Sequence, residues 1–178
     1  MNFEETALRG LKFFTPRYFE DHRGIFLKTF HAEMFAEAGI HFELREEFFS
    51  VSKRGVLRGM HFQVPPAAHA KLVVCLKGKV LDVVVDLRRQ EPTYGSFWAG
   101  ELSEENGKVV YIPEGMAHGF LSLSEDALVH YKTSSVYNPQ CDAGIRWDSF
   151  GFSWPVGAPI LSQRDQSFPK LEAFVTPF

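Results

Sequence analysis

From Lys71 to Thr133 the chain is a series of short apolar runs broken by turn residues, with no helix-length amphipathic stretch between them. Lys71-Leu-Val-Val-Cys-Leu76 and Val80-Leu-Asp-Val-Val-Val-Asp-Leu87 flank Lys77-Gly78-Lys79, a spacing that predicts a hairpin. Further strands are expected near 95–102, 108–112, 118–123 and 127–134. Turns between them are marked by Pro92, Asn106-Gly107, Pro113-Glu-Gly115 and Ser124-Glu-Asp126. Short strands without crossover helices pair antiparallel and form a sandwich or barrel. Upstream, Asp21-His-Arg-Gly24 reads as a turn between two short strands, and His31–Ala38 as a helix stopped by Gly39. The tail from Pro155 is loop-rich, with one short helix expected around Gln163–Ala173. The chain is therefore expected to be mainly β.

Its 178 residues, 45% of them hydrophobic, suit one domain spanning 1–178 with a substantial core. The 18 Phe favour a β-rich interior or a large aromatic contact surface. A net charge of −3 gives no electrostatic reason to expect nucleic acid. The start, MNFEETALRG, is acidic and polar, and no apolar run has membrane-spanning length, so neither a secretory leader nor a membrane is expected. Cys75 and Cys141 lie far apart in no metal-like spacing, which fits a reduced cytoplasmic protein.

The chemistry is concentrated in Gly55-Val-Leu-Arg-Gly-Met-His-Phe-Gln63 and its continuation to Lys71. Arg58 and Lys71 can hold an anion or polarise a carbonyl, and His61 can move a proton near neutral pH. Strand parity sorts the neighbours: Tyr131 shares a face with Ala127 and Val129 and is expected inside, with His130 outside. Lys71 shares its face with Val73 and Cys75, at the edge of an apolar lumen. Taken alone, each has a plainer reading, a snorkelling lysine and a half-buried aromatic. Asp82 and Asp86 lie on one face but about 13 Å apart, too far for a glycosidase pair, and read as structural or solvated acids.

Gly107 through Pro113-Glu-Gly-Met-Ala-His118 resembles the second motif of the cupin superfamily, a jelly-roll β-barrel. The place of the first motif's metal ligands is taken by His61-Phe62-Gln63, with Ala67 and Ala68 where a Glu belongs. Only His61 and His118 remain, His69 being irregularly placed, so no metal is expected.

The whole chain resembles the dTDP-4-dehydrorhamnose 3,5-epimerase family, metal-free cupins acting on 4-keto nucleotide sugars. The likeness runs through Asp21-His-Arg-Gly24-Ile-Phe26, GVLRGMHFQ, Lys71-Leu72, Gly78 to Arg88, Ile112 to Phe120, Tyr131-Lys-Thr133, Tyr137-Asn-Pro139, Gly144-Ile-Arg-Trp147 and Leu161-Ser-Gln-Arg-Asp165. It implies an isomerase without a cofactor that inverts C3, C5 or both of a nucleoside-diphosphate 4-keto sugar. His61 would be the base, oriented by Asp165, with Lys71 stabilising the C4 enolate and Tyr131 returning a proton from the opposite face. Arg58 and His118 would line the same site, Arg23 would meet phosphate, and Phe26 with Tyr137 would sandwich the base. The likeness also implies a homodimer with exchanged N-terminal strands, Phe26 reaching the neighbouring subunit.

Departures cluster at nucleotide recognition. Lys28 replaces the usual Glu, Glu46-Glu47-Phe48 replaces Gln-Asp-Asn, and Asp142 stands for a longer acid. A Glu-to-Lys change swaps an acceptor for a donor, and Phe48 removes a pocket amide. They imply a CDP- or GDP-linked sugar, or a differently substituted one, as alternatives to dTDP-4-keto-6-deoxyglucose. A non-catalytic sugar-binding cupin is disfavoured by the retained proton-transfer set. A keto-isomerase on the same fold separates only by its product.

Overall fold

The computed structural model describes residues 2–16 and 18–178. Its strands are β1 (Asn2–Glu5), β2 (Lys12–Thr15), β3 (Tyr18–Asp21), β4 (Gly24–Leu27), β5 (Glu46–Ser52), β6 (Leu57–Gln63) and β7 (Lys71–Lys77). They continue with β8 (Lys79–Asp86), β9 (Phe97–Ser103), β10 (Val109–Ile112), β11 (Met116–Ser122), β12 (Ala127–Thr133) and β13 (Asp142–Gly144). Two short helices complete the set, α1 (Ala32–Glu37) and α2 (Gln163–Ser167). One sheet has the order β1-β2-β10-β7-β12-β5 and the other β13-β6-β11-β8-β9, while β3 and β4 pair only with each other. The turn-marked runs imply a sandwich or barrel and the cupin resemblance a jelly roll; the result is a mainly β jelly roll built as two facing sheets rather than one closed barrel. Among the described residues no helix is long and apolar enough to cross a membrane.

The expected hairpin at Lys77-Gly78-Lys79 does not form: β7 pairs with β10 and β12, whereas β8 pairs with β11 and β9. Gly78 is a corner that carries the chain from one sheet to the other, at φ +74, with Ser124 so close that a Cβ would collide with its hydroxyl. The reason lies in the apolar runs, which are covered on both faces. In β7, Val73 and Cys75 point between the sheets, while Leu72 and Val74 pack outward against Phe14, Phe35 and Ile40. In β8, Val80 and Val84 point inward, while Val83 and Val85 pack outward under Trp154 and neighbouring C-terminal residues. Near-continuous hydrophobic runs, rather than alternating ones, are what two-sided burial selects.

The helix expected over Gln163–Ala173 is shorter and broken. α2 ends at Ser167, Phe168 is extended at φ −63 and ψ 148, and a separate 3-10 turn follows at Leu171–Ala173. Pro169 explains the break, since its ring drives the preceding residue out of the helical region.

In β6 the alternation itself is interrupted. A regular strand would turn Arg58 and His61, three residues apart, to opposite faces. The pairing of β6 with β11 shifts register between His118 and Phe120, where Gly59 lies at φ +141 against Gly119. Leu57 and Met60 thereby face the outer core, and Arg58 and His61 both line the cavity between the sheets. A Cβ on Gly59 would stand 2.6 Å from the Gly119 Cα. Gly59→Ala is accordingly expected to lower stability by about 1–3 kcal/mol in urea denaturation. An unchanged denaturation midpoint would show that the close approach is not needed.

Candidate active site

The cavity between the sheets measures about 350 Å³, within the range of small-molecule sites. The five-stranded sheet contributes Arg58 and His61 from β6 and His118 from β11. The six-stranded sheet contributes Phe48 from β5, Lys71 from β7 and Tyr131 from β12. Parity places Tyr131 inward as expected, in the core between the sheets, whereas outward His130 bonds Glu47 at 2.7 Å.

His61 Nε2 lies 2.8 Å from Asp165 Oδ1. An ionised carboxylate only accepts, so Nε2 carries the proton and Nδ1 keeps its lone pair. Asp165 Oδ2 also accepts from the Gly59 N–H at 3.2 Å, and the Asp165 N–H is capped by Ser162 Oγ at 3.0 Å. Burial alone would raise the Asp165 carboxyl; the hydrogen bond and charge of His61, aided by Gly59 and Ser162, outweigh it and hold the group below its ordinary value. For His61 burial is the largest influence and lowers its affinity for a proton, opposed by Asp165 and reinforced by the charges of Lys71 and Arg164. The imidazole is thus kept neutral, with a free acceptor nitrogen.

Lys71 is 8% exposed and donates from Nζ to the His61 carbonyl at 3.1 Å. Burial drops its pKa to about 8, against the pull of Asp142 and Asp82. It is an ammonium in a water-poor site with donors to spare, not a snorkelling side chain. Tyr131 is likewise 8% exposed, and burial raises its phenol above the usual range; Ser50 and Arg58 oppose the shift.

His118 stands opposite His61 in the β11–β6 register and bonds Asp82 at 2.7 Å through Nε2. Asp82 is fully buried, so of the two roles expected for it only the structural one survives; it is not solvated. Asp86 is tied to Arg88 at 2.7 Å and to Thr93 at 2.7 Å. Among the described residues no three His, Cys, Asp or Glu gather into a metal-binding group.

At the rim, Glu46 Oε2 accepts from the Tyr137 N–H at 2.6 Å, Tyr137 Oη donates to Asp142 at 3.2 Å, and Arg164 pairs with Asp142 at 2.6 Å. Gln63 holds the adjoining loop, its Oε1 accepting from the Asn138 N–H at 2.6 Å. Arg164, Gln63, Ser50 and Asp82, as the partner of His118, join the expected residues, as does the irregularly placed His69, which lies in the wall with Nδ1 3.0 Å from Gln63 Nε2. Asp82 carried a signal: it shares the inward parity of Val80 and Val84, where an acid needs a partner.

Asp165 stands behind His61 rather than in the cavity wall, and three further expected site residues are not in this cavity. Arg23 and Phe26 sit on the β3–β4 hairpin, where Arg23 pairs with Asp21 at 2.6 Å and Phe26 is 59% exposed. Lys28 follows the same hairpin and does not line the cavity.

The sequence profile of the dTDP-4-dehydrorhamnose 3,5-epimerase family matches residues 5–173. A dTDP-4-dehydrorhamnose 3,5-epimerase of Shigella flexneri is 41% identical, covering 98% of this chain and 100% of its own. A dTDP-4-dehydrorhamnose 3-epimerase of Streptomyces niveus is 40% identical over 93% of this chain and 82% of its own. Among solved structures, the Legionella pneumophila dTDP-6-deoxy-D-glucose-3,5-epimerase in complex with dTDP-4-keto-L-rhamnose superposes with a TM-score of 0.93 at 36% identity, covering 98% of this chain and 94% of its own. These matches place the chain among the isomerases that epimerise nucleotide-linked sugars. It belongs to the dTDP-4-dehydrorhamnose 3,5-epimerase family.

Proposed function

We propose that the chain inverts C3, C5 or both of a nucleoside-diphosphate 4-keto hexose by proton transfer across the cavity. One observation carries this reading: His61 enters from one sheet, Tyr131 and Lys71 from the other, so a sugar between them meets a base and an acid on opposite faces. His61 Nδ1 takes the proton beside the C4 carbonyl, a step to which a positioned base contributes roughly 10²–10⁴-fold. The electrons move to the C4 oxygen, where the Lys71 ammonium compensates the charge, an effect worth on the order of 10²–10³ in rate. Tyr131 then delivers its proton to the other face and the centre is inverted. Asp165 keeps His61 in the required tautomer. Arg58 and His118 line the sugar site, and Tyr137, Asp142 and Glu46 its mouth.

The solved relatives include one holding TDP and pyrophosphate and one holding dTDP-4-keto-L-rhamnose. Lys28, Glu46 and Phe48 argue for a different base or sugar here: the Glu46 carboxylate is engaged by the Tyr137 backbone, and Phe48 presents a ring where an amide is usual. The buried free cysteines suit a cytoplasmic setting.

Proton NMR in D₂O with dTDP-, CDP- and GDP-linked 4-keto-6-deoxyglucose tests the reaction. Deuterium should enter C3, C5 or both with inversion, and His61→Ala should abolish it. A clear preference for dTDP would overturn the substrate difference, and a migrated carbonyl would make the protein a keto-isomerase. The rate should rise as His61 loses its proton, below its ordinary range, and fall above pH about 8 as Lys71 is neutralised. A rate still climbing through pH 9 would contradict the Lys71 role.

We further infer a homodimer in which the β3–β4 hairpin serves the partner's site. Phe19, Ile25 and Phe26 are 59–60% exposed on it, and Arg23 lies outside its own cavity. Mixing His61→Ala with Arg23→Ala subunits after denaturation and refolding should then restore part of the activity that each variant lacks. No restoration would place Arg23 in cis or outside the site.

A further inference from the structure

β5 is one edge strand of the six-stranded sheet, yet it supplies Phe48 and Ser50 to the cavity wall, with Glu46 at the mouth. In the β5–β12 register Phe48 lies opposite Tyr131 and Ser50 opposite Val129, so all four side chains share the inward face. The Phe48 ring stacks on Tyr131 with centroids 4.8 Å apart and planes at 18°. The Ser50 hydroxyl is buried without a hydrogen-bond partner of good geometry among the described residues, although it stands near enough to Tyr131 to influence the phenol. A buried hydroxyl with no well-aligned partner at rest is unusual, and it points to a hydrogen bond to Tyr131 that tightens during the reaction.

We propose that Phe48 and Ser50 are positioning residues for the acid: Phe48 holds the Tyr131 ring and the Ser50 O–H donates to the Tyr131 oxygen once its proton has gone to carbon. This deepens the proposed function and rests on the reading of Tyr131 as acid. When the Tyr131 O–H bond breaks and the new C–H bond forms, the electron pair stays on the phenolate, which regains a proton from solvent as His61 gives up to solvent the one it took from carbon. A phenolate this deeply buried is unfavourable, consistent with the raised pKa of the resting phenol. The Arg58 charge helps, but Arg58 Nε is already donating to Ser52 Oγ at 2.9 Å. Ser50 is a short-range donor with nothing else to satisfy. Phe48 restricts where the phenol points, since a stacked ring turns less freely than one facing open space.

The test separates the two proton transfers. In D₂O, exchange into recovered, uninverted substrate reports His61, whereas inversion requires Tyr131. Ser50→Ala should slow inversion by roughly 10–100-fold with KM little changed, while exchange into recovered substrate continues and its ratio to inversion rises. Ser50→Thr, which keeps the hydroxyl, should restore most of the inversion rate, and Phe48→Leu should raise the same ratio to a smaller degree. Equal loss of exchange and inversion in Ser50→Ala, no loss, or failure of Ser50→Thr to rescue would overturn the proposal. If the wild type neither exchanges nor inverts any of these sugars, the proposed function fails instead. The Ser50 contact is then read from the titration of fluorotyrosine at position 131 by fluorine NMR: a higher pKa in Ser50→Ala supports the contact, and an unchanged one overturns it.

Discussion

Asp165 is only 3% exposed, and a carboxylate so far from water stays charged only where donors replace the lost hydration. Two of those donors belong to β6: the His61 ring at 2.8 Å and the Gly59 N–H at 3.2 Å. The same carboxylate therefore fastens α2 to the sheet, fixes the backbone where the strand loses its alternation, and selects the tautomer of His61. Removing it would leave a buried N–H at Gly59 and an imidazole free to turn. Base orientation and strand irregularity are one structural event.

The facing sheets turn that event into a site. His61 lies on the sheet that Asp165 braces from behind, and Tyr131 and Lys71 lie on the sheet opposite. Burial acts on all three in the direction of their neutral forms, lowering His61 and Lys71 and raising Tyr131. A neutral imidazole and a neutral phenol are the states from which the proposed base and acid would start. Lys71, at about 8, retains its charge at neutral pH, and in the proposed reaction that charge meets the developing enolate. His118 with Asp82 repeats the His–carboxylate arrangement deeper in the same cavity, with His118 beside His61 on the neighbouring strand β11.

Strand positions were legible in the sequence because turn residues punctuate them, and Tyr131 and Lys71 were placed inward because their neighbours alternate. What parity cannot show is where it breaks. Arg58 and His61 share the cavity only through the register shift at Gly59, which depends on contact with Gly119, sixty residues on. The Gly78 corner was misread as a hairpin for a related reason: local spacing fixes a turn, but the pairing of each flank is decided by distant strands. The role of Asp82 is not legible locally because its partner His118 lies on another strand, and Arg164 carries no local signal that it meets Asp142. The hairpin residues Arg23 and Phe26, with Lys28 just after it, lie outside the cavity, a placement that strand parity does not show.

The tautomer of His61 is the central claim, and nitrogen NMR of ¹⁵N-histidine-labelled protein at neutral pH measures it directly. Proton-coupled Nε2 beside an unprotonated Nδ1 in the ring assigned to His61, with that preference lost in Asp165→Asn, is the result expected. A ring protonated on Nδ1, or an imidazolium at neutral pH, would remove the lone pair on which the proposed proton abstraction depends.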